Sequence, residues 1–242
     1  MQAYAGTDIG CVRTMNQDGY FCSTTPIGPF PNLFIVADGM GGHQAGDYAS
    51  RYAIETFLDY IRHTENRNLI RVMDEGIAEA NRKVLEKSFE NEELAGMGTT
   101  MVVAFAEDGQ LYVANVGDSR LYRLEKNRIV EVTEDHSLAF LDFMKGNIEY
   151  DQIRESENQS RLTNALGSYI KDLRVSEITA LSGSTAFLLC TDGWWEYVRE
   201  NDIESLSESA QDARGWLEKM LAVREANAPE NSDNYTAAAV FM

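Results

Sequence analysis

The stretch "LFIVADGMGGHQAGDYASRYA", residues 33–53, decides how the chain is read. A continuous apolar run ends in Asp38, four glycines fall within the next eight residues, His43 lies among them, and a helical pattern then begins. A turn needs one glycine, so the cluster asks for a second explanation. Small residues let a backbone approach an ion or a phosphate closely, and a peptide carbonyl there can itself be a ligand. Known phosphate loops do not fit. Gly41 to Gly46 has the Walker spacing, but Asp47 stands where that loop requires Lys. Gly39-Met40-Gly41 starts a dinucleotide fingerprint that has Gln44 at its third glycine position.

The other aspartates supply the context. Asp192-Gly193 follows the apolar run "AFLLCT" as Asp38-Gly39 follows "LFIVA", and both lead into helical patterns. Asp118 follows "LYVANVG", Asp233 precedes "YTAAAVF", and Asp18 stands just ahead of "GYFCST". Asp108-Gly109 is the contrast, since it joins two strand patterns and is explained by hairpin chemistry alone. Several acids at the mouths of buried strands repel one another and are driven toward protonation unless cations intervene. Oxygen-only ligands suit Mg²⁺ or Mn²⁺, whereas Zn²⁺ or Fe²⁺ calls for His or Cys clusters. His43, His63 and His136 have no such spacing. Arg13, five residues before Asp18, offers a guanidinium fork for a phosphate beside such a site.

Strands are expected over "GYFCST", "LFIVA", "TMVVAF", "LYVANV", "RLYRL", "TAFLLC" and "TAAAVF". Helices are expected over 44–62, with Ala45, Ala49, Tyr52, Ala53, Phe57, Tyr60 and Ile61 on one stripe, and over 68–89, with Leu69, Val72, Met73, Ile77, Ala80, Val84 and Phe89. Shorter ones are expected over 138–145 and 211–226. Strands cluster, a helix pair follows, and strands return. That order favours α+β layers with antiparallel strands over βαβ alternation.

The bulk numbers narrow the function. At 242 residues and 44% hydrophobic, the chain can bury a core, and one domain over 1–242 is expected. A formal charge of −18, from 39 acids against 21 Lys plus Arg, repels nucleic acid and anionic lipid, so neither is an expected partner. No apolar run reaches the roughly 18–20 residues of a membrane helix. "MQAYAGTDIG" has neither a basic start nor an apolar stretch, so no secretory signal is expected. Cys11, Cys22 and Cys190 are an odd set that suits a reducing cytoplasm, and Cys190 reads as core.

In order along the chain, "VRTMNQD", "VADGMGGH", "GMGTT", "VGDSRLYR", "VTEDHS", "LTNALG", "LLCTDGWWEYV" and "DNYT" resemble the metal-dependent protein phosphatases of type 2C in their compact bacterial form. The resemblance implies a four-layer α-β-β-α sandwich, two antiparallel β-sheets flanked by helix pairs, with two Mn²⁺ or Mg²⁺ ions at one end. It implies that Asp38 bridges the ions, that Asp192 and Asp233 complete one, and that Asp18 and the Gly39 carbonyl help hold the other. Asp118, with Asp192, would support a third ion, and Arg13 would bind phosphate. Residues 138–161 would form a flap. The implied reaction is hydrolysis of phosphoserine and phosphothreonine by a hydroxide bridging two ions, reversing a bacterial Ser/Thr kinase. A silent phosphoprotein-binding regulator of the same fold is the alternative. Met40 stands where eukaryotic members carry a histidine, which leaves His43 or a water as the leaving-group proton donor. The segment "DGWWEYV" resembles phosphatases that oppose kinases of type VI secretion control.

Overall fold

The computed structural model describes residues 1–42, 45–168, 175–180 and 185–242. Eleven strands are defined there: β1 (Gln2–Asp8), β2 (Asp18–Ser23), β3 (Leu33–Met40), β4 (Gly98–Thr99), β5 (Met101–Glu107), β6 (Gln110–Val116), β7 (Arg120–Glu125), β8 (Arg128–Val132), β9 (Val175–Ala180), β10 (Thr185–Cys190) and β11 (Tyr235–Phe241). The helices are α1 (Ala45–His63), α2 (Leu69–Glu90), α3 (Leu138–Met144), α4 (Asp192–Trp195), α5 (Glu200–Ser209) and α6 (Ala213–Asn227). One sheet runs β1-β11-β10-β7-β8 and the other β2-β3-β5-β6-β9, with β4 added beside β3. Every pairing between these strands is antiparallel. The expected α+β class is met.

Side-chain alternation builds the layers. Along β3, Phe34 and Val36 join Val102, Ala104, Phe187, Leu189, Ala238 and Val240 between the sheets. Leu33, Ile35 and Ala37 turn the other way and pack with Phe57, Ile61, Met73 and Ile77 of α1 and α2. On the far side Leu188, Cys190, Ala237 and Ala239 meet Ile203 of α5 and Trp216, Leu217 and Met220 of α6. The central strands are therefore apolar on both faces, which is why they read as unbroken greasy runs rather than alternating ones.

The expected helices over 44–62, 68–89, 138–145 and 211–226 correspond to α1, α2, α3 and α6 within a few residues. One stripe residue is corrected: Phe89 is 74% exposed, and Ser88 takes the buried position. Phe89 lies in the last turn of α2. Asp108 and Gly109 have φ of 51° and 74° and join β5 to β6, as the Asp-Gly pair predicts.

β1, β4, β8, β9 and α5 lie outside the sequence expectation, whereas α4 is the helix into which Asp192-Gly193 is expected to lead. β1, "QAYAGTD", has little strand propensity of its own. It forms because all seven of its residues pair with β11, from Gln2↔Phe241 to Asp8↔Tyr235. α5, "ENDIESLSES", buries only Ile203 and Ser207 and so lacks an apolar stripe. Glu200 and Asp202 in its first turn complement the helix dipole.

A buried ion pair locks β7 to the loop after β8. Arg120 Nε and Nη2 donate to Asp135 at 2.8 and 2.6 Å, and both side chains are almost wholly buried. Removing one partner strands a buried charge, at a cost of about 3–5 kcal/mol. Asp135→Ala should therefore lower Tm by about 10 °C for a chain of this size, and Asp135→Asn by less. Thermal unfolding followed by circular dichroism checks this, and equal losses in the two variants would contradict it.

Candidate metal centre

Strand register brings the first two acids together. Asp18 and Asp38 are direct cross-strand partners in the β2–β3 ladder. Opposed residues in such a ladder have Cβ atoms about 4.5–5.5 Å apart, and like charges there are destabilising. Asp38 continues the Phe34–Val36 parity, so it points into the gap between the sheets at their shared end. Its backbone is held there by Thr100 and Thr99. The Asp38 N–H donates to Thr100 Oγ1 at 2.8 Å, and its carbonyl accepts from Thr100 N and Thr99 Oγ1. Thr100 Oγ1 lies 2.7 Å from Ser119 Oγ, which ties "GMGTT" to the loop carrying Asp118.

The opposite sheet supplies the rest. Asp192 opens α4 just after β10, and Asp233 sits two residues before β11, the neighbour of β10. Gly193 lets these loops touch, because a Cβ there would lie 2.0 Å from the Asn234 carbonyl oxygen. Thr191 bridges the sheets, donating from Oγ1 to Asp18 Oδ2 at 2.9 Å. Asn234 holds the 9–17 loop. Its Oδ1 accepts from Gln17 N at 2.8 Å, and its Nδ2 donates to the Ile9 and Met15 carbonyls at 2.7 and 3.2 Å.

Arg13, Asp38, Gly39, Asp118, Asp192 and Asp233 line one cavity of about 210 Å³, together with Met40. Asp18 is buried beside it. A larger groove of about 670 Å³ between α1 and α2 carries none of these residues. All seven expected site residues thus come to one end of the sandwich. Arg13 is exposed and paired: its Nε and Nη2 donate to the two oxygens of Asp233 at 2.6 Å each. His43 lies outside the described residues. His136 accepts from Gly117 N through Nδ1 at 3.1 Å, and His63 ion-pairs with Asp59 on α1.

The glycine cluster serves chain packing first. A Cβ on Gly39 would lie 2.0 Å from the Gly46 carbonyl oxygen and 2.5 Å from that of Gln17. A Cβ on Gly46 would meet the Gln17 amide at 2.6 Å. The first turn of α1 can press against the acid-bearing end of β3 only because both residues are glycine.

Electrostatics sets these acids apart from caps. Burial pushes Asp18 up to about 7, although hydrogen bonds from Thr236 and Thr191 favour its charged form. Asp38 is raised well above the usual carboxylate range by burial and by Asp18, Asp192 and Asp118. Burial, then Asp192 and Asp135, raise Asp118, and burial, then Asp233, raise Asp192. For Asp233 burial works upward, but the Arg13 hydrogen bonds overcome it and the pKa is lowered. Among the described residues no three acids are already gathered as ligands. The donor set nevertheless fits hard cations. Asp192 is among the charges that raise Asp38, and Asp18 Oδ1 is buried with no hydrogen-bond partner. A cation among these acids would offset their repulsion and satisfy that oxygen.

A sequence model described as Protein phosphatase 2C matches residues 11–232. The chain belongs to the protein phosphatase 2C family. It is 33% identical, over 98% of its own length and 94% of the relative's, to the serine/threonine phosphatase stp of Listeria monocytogenes serotype 4b. Its structure resembles the crystal structure of the phosphatase Stp1 from Staphylococcus aureus, with a TM-score of 0.87 and 27% identity over 100% of this chain and 95% of that one. It also shares its fold with the PstP catalytic domain, solved in complex with two manganese ions, with a TM-score of 0.83 and 22% identity over 98% and 96% of the two chains. The expected family and its enzyme class, a phosphatase, are borne out.

Three further residues belong with the acids. Glu196, one helical turn after Asp192, is pushed up to about 7 by burial and by Asp192 and Asp233. Its four-residue spacing from Asp192 in "DGWWE" was the available signal. Thr191 and Asn234 could be found only as neighbours of acids in "CTDG" and "DNYT".

The raised acids make a signed prediction. A carboxyl raised in the folded state stabilises below its unfolded value, and that stability is lost as pH rises through the folded value. For Asp18 the window runs from its ordinary value of 3.8 to about 7. Metal-free protein should therefore melt several degrees lower at about pH 8 than at about pH 6. Asp18→Asn should shrink that difference, and calorimetric Tm values that fall equally in both proteins would contradict it.

Proposed function

We propose that the chain is a metal-dependent protein serine/threonine phosphatase whose single domain, 1–242, carries a flap over 138–161. The observation that carries this reading is the meeting of Asp38, Asp118, Asp192 and Asp233 in one cavity with Arg13 at its rim, in a member of the 2C family. Asp38, Asp192 and Asp233 would hold one Mn²⁺ or Mg²⁺ ion, and Asp38, Asp18 and the Gly39 carbonyl a second. Asp118 with Asp192 would support a third. When bound, such ions supply Lewis acidity toward water and toward phosphoryl oxygens.

The protein's own part is binding, orientation and charge. Arg13 presents Nε and Nη2, the atoms now on Asp233, as a two-pronged donor for two oxygens of a phosphoryl group. With a cation held by Asp233, the Arg13 fork would be free to take two phosphoryl oxygens. Met40 lines the cavity, and no imidazole does so among the described residues, so the leaving alkoxide draws its proton from water unless His43 reaches it. Cys190 is no nucleophile, because burial pushes its thiol up and its place is in β10.

The substrates are phosphorylated proteins, and the partner is a Ser/Thr kinase whose marks the enzyme removes. The segment "DGWWEYV" favours a kinase of type VI secretion control. The strongly negative surface, with a formal charge of −18, favours phosphopeptides over nucleic acid.

Purified protein should hydrolyse a phosphothreonine peptide with Mn²⁺, lose activity on chelation, and regain it on Mn²⁺ addition. Asp38→Ala should lower kcat by about a thousandfold or more, since a phosphate monoester needs very large transition-state stabilisation. Turnover that survives complete chelation, or that is untouched by Asp38→Ala, would overturn the reading.

A further inference from the structure

The flap segment and the acid cluster meet at one side chain. Trp195 is completely buried in the short turn of α4 that begins with Asp192. Its indole Nε1 donates to the Asp118 carbonyl at 2.9 Å. The Arg120 guanidinium lies over its ring, with Cζ 3.6 Å from the centroid, and Arg120 is itself clamped by Asp135. Its own carbonyl accepts from Nη1 of Arg154. Arg154 belongs to the 3₁₀ turn Tyr150–Glu155 within the flap segment, and it also donates to the Val198 carbonyl at 3.4 Å and ion-pairs with Glu200. On the same segment Gln159 is buried and lowers the pKa of Asp192, although its Nε2 has no hydrogen-bond partner.

The neighbouring tryptophan shows what space-filling alone looks like. Trp194 is equally buried, but its Nε1 has no hydrogen-bond partner. Trp195 differs in that each of its polar edges and its ring face is matched to a different structural piece. The backbone of Asp118, the α4 turn of Asp192 and the anchor of the flap are thereby fixed to a single rigid ring.

We propose that Trp195 is a positioning residue that sets the flap segment against Asp118 and Asp192, an inference that rests on reading those two acids as cation ligands. Trp195→Phe keeps an aromatic face for Arg120 and removes only the donor to Asp118. Hydrogen exchange of the metal-free full chain, followed by mass spectrometry, should show segments 117–120 and 150–155 exchanging about tenfold faster together. Segments 33–40 and 236–241, in the middle of the two sheets, should stay at their wild-type rates. Mn²⁺ affinity should weaken by about the same factor in a calorimetric titration. Uniform acceleration of every segment, or no change in the two named ones, would overturn the proposal, as would unaltered Mn²⁺ affinity.

Should Trp195→Phe fail to fold, Arg154→Met decides instead, since it keeps the aliphatic stem and removes the flap's donors. Loosening of 150–155 that carries 117–120 with it supports the coupling, and loosening of 150–155 alone refutes it. A wild-type chain that bound no Mn²⁺ would defeat the phosphatase reading, and the exchange comparison would still decide the coupling.

Discussion

Mutual repulsion among buried carboxylates is the constraint around which this end of the molecule is arranged. Two unit charges a few ångströms apart in a protein interior interact far more strongly than in water. Here Asp18, Asp38, Asp118 and Asp192 are raised together, each by burial first and, for most, by its neighbours next. Partial remedies differ from acid to acid. Thr191 and Thr236 stabilise charged Asp18, and Arg13 neutralises Asp233.

A group of repelling acids persists only if the surrounding structure holds it, and two sheets packed face to face do so. Strand alternation sends Phe34 and Val36 into the intersheet core, and the same alternation carries Asp38 to the end of that core. The second sheet brings Asp192 and Asp233 through β10 and β11, whose inward residues Phe187, Leu189, Ala238 and Val240 complete the same apolar layer. The hydrophobic effect that closes the sandwich thus also forces the acids together. Trp195 and the Arg120–Asp135 pair extend that rigidity to the loop that precedes α3.

Much of this was legible in the sequence wherever a local rule matched the tertiary role. Doubly buried strands announce themselves as continuous apolar runs, and "LFIVA" and "AFLLC" did so with acids at their ends. The amphipathic periods of α1 and α2 were equally plain. Illegible were β1 and α5, whose propensities are weak and whose formation depends on a partner far along the chain. The role of Gly39 and Gly46 also escaped, because close approach between a strand end and a helix start leaves the same glycine signature as a ligand loop. The Arg13–Asp233 pair could not be foreseen either. Spacing shows which residues are chemically suited to a phosphate and a cation, but not that they neutralise each other across 220 residues.

If protons and Arg13 hold the places that divalent ions take, binding those ions must displace protons. Isothermal titration of Mn²⁺ into the chain at about pH 7, repeated in buffers of different ionisation enthalpy, measures that displacement directly. The account requires saturable uptake of at least two ions per chain, accompanied by net proton release. Uptake with heats independent of the buffer, or no saturable uptake, would contradict it.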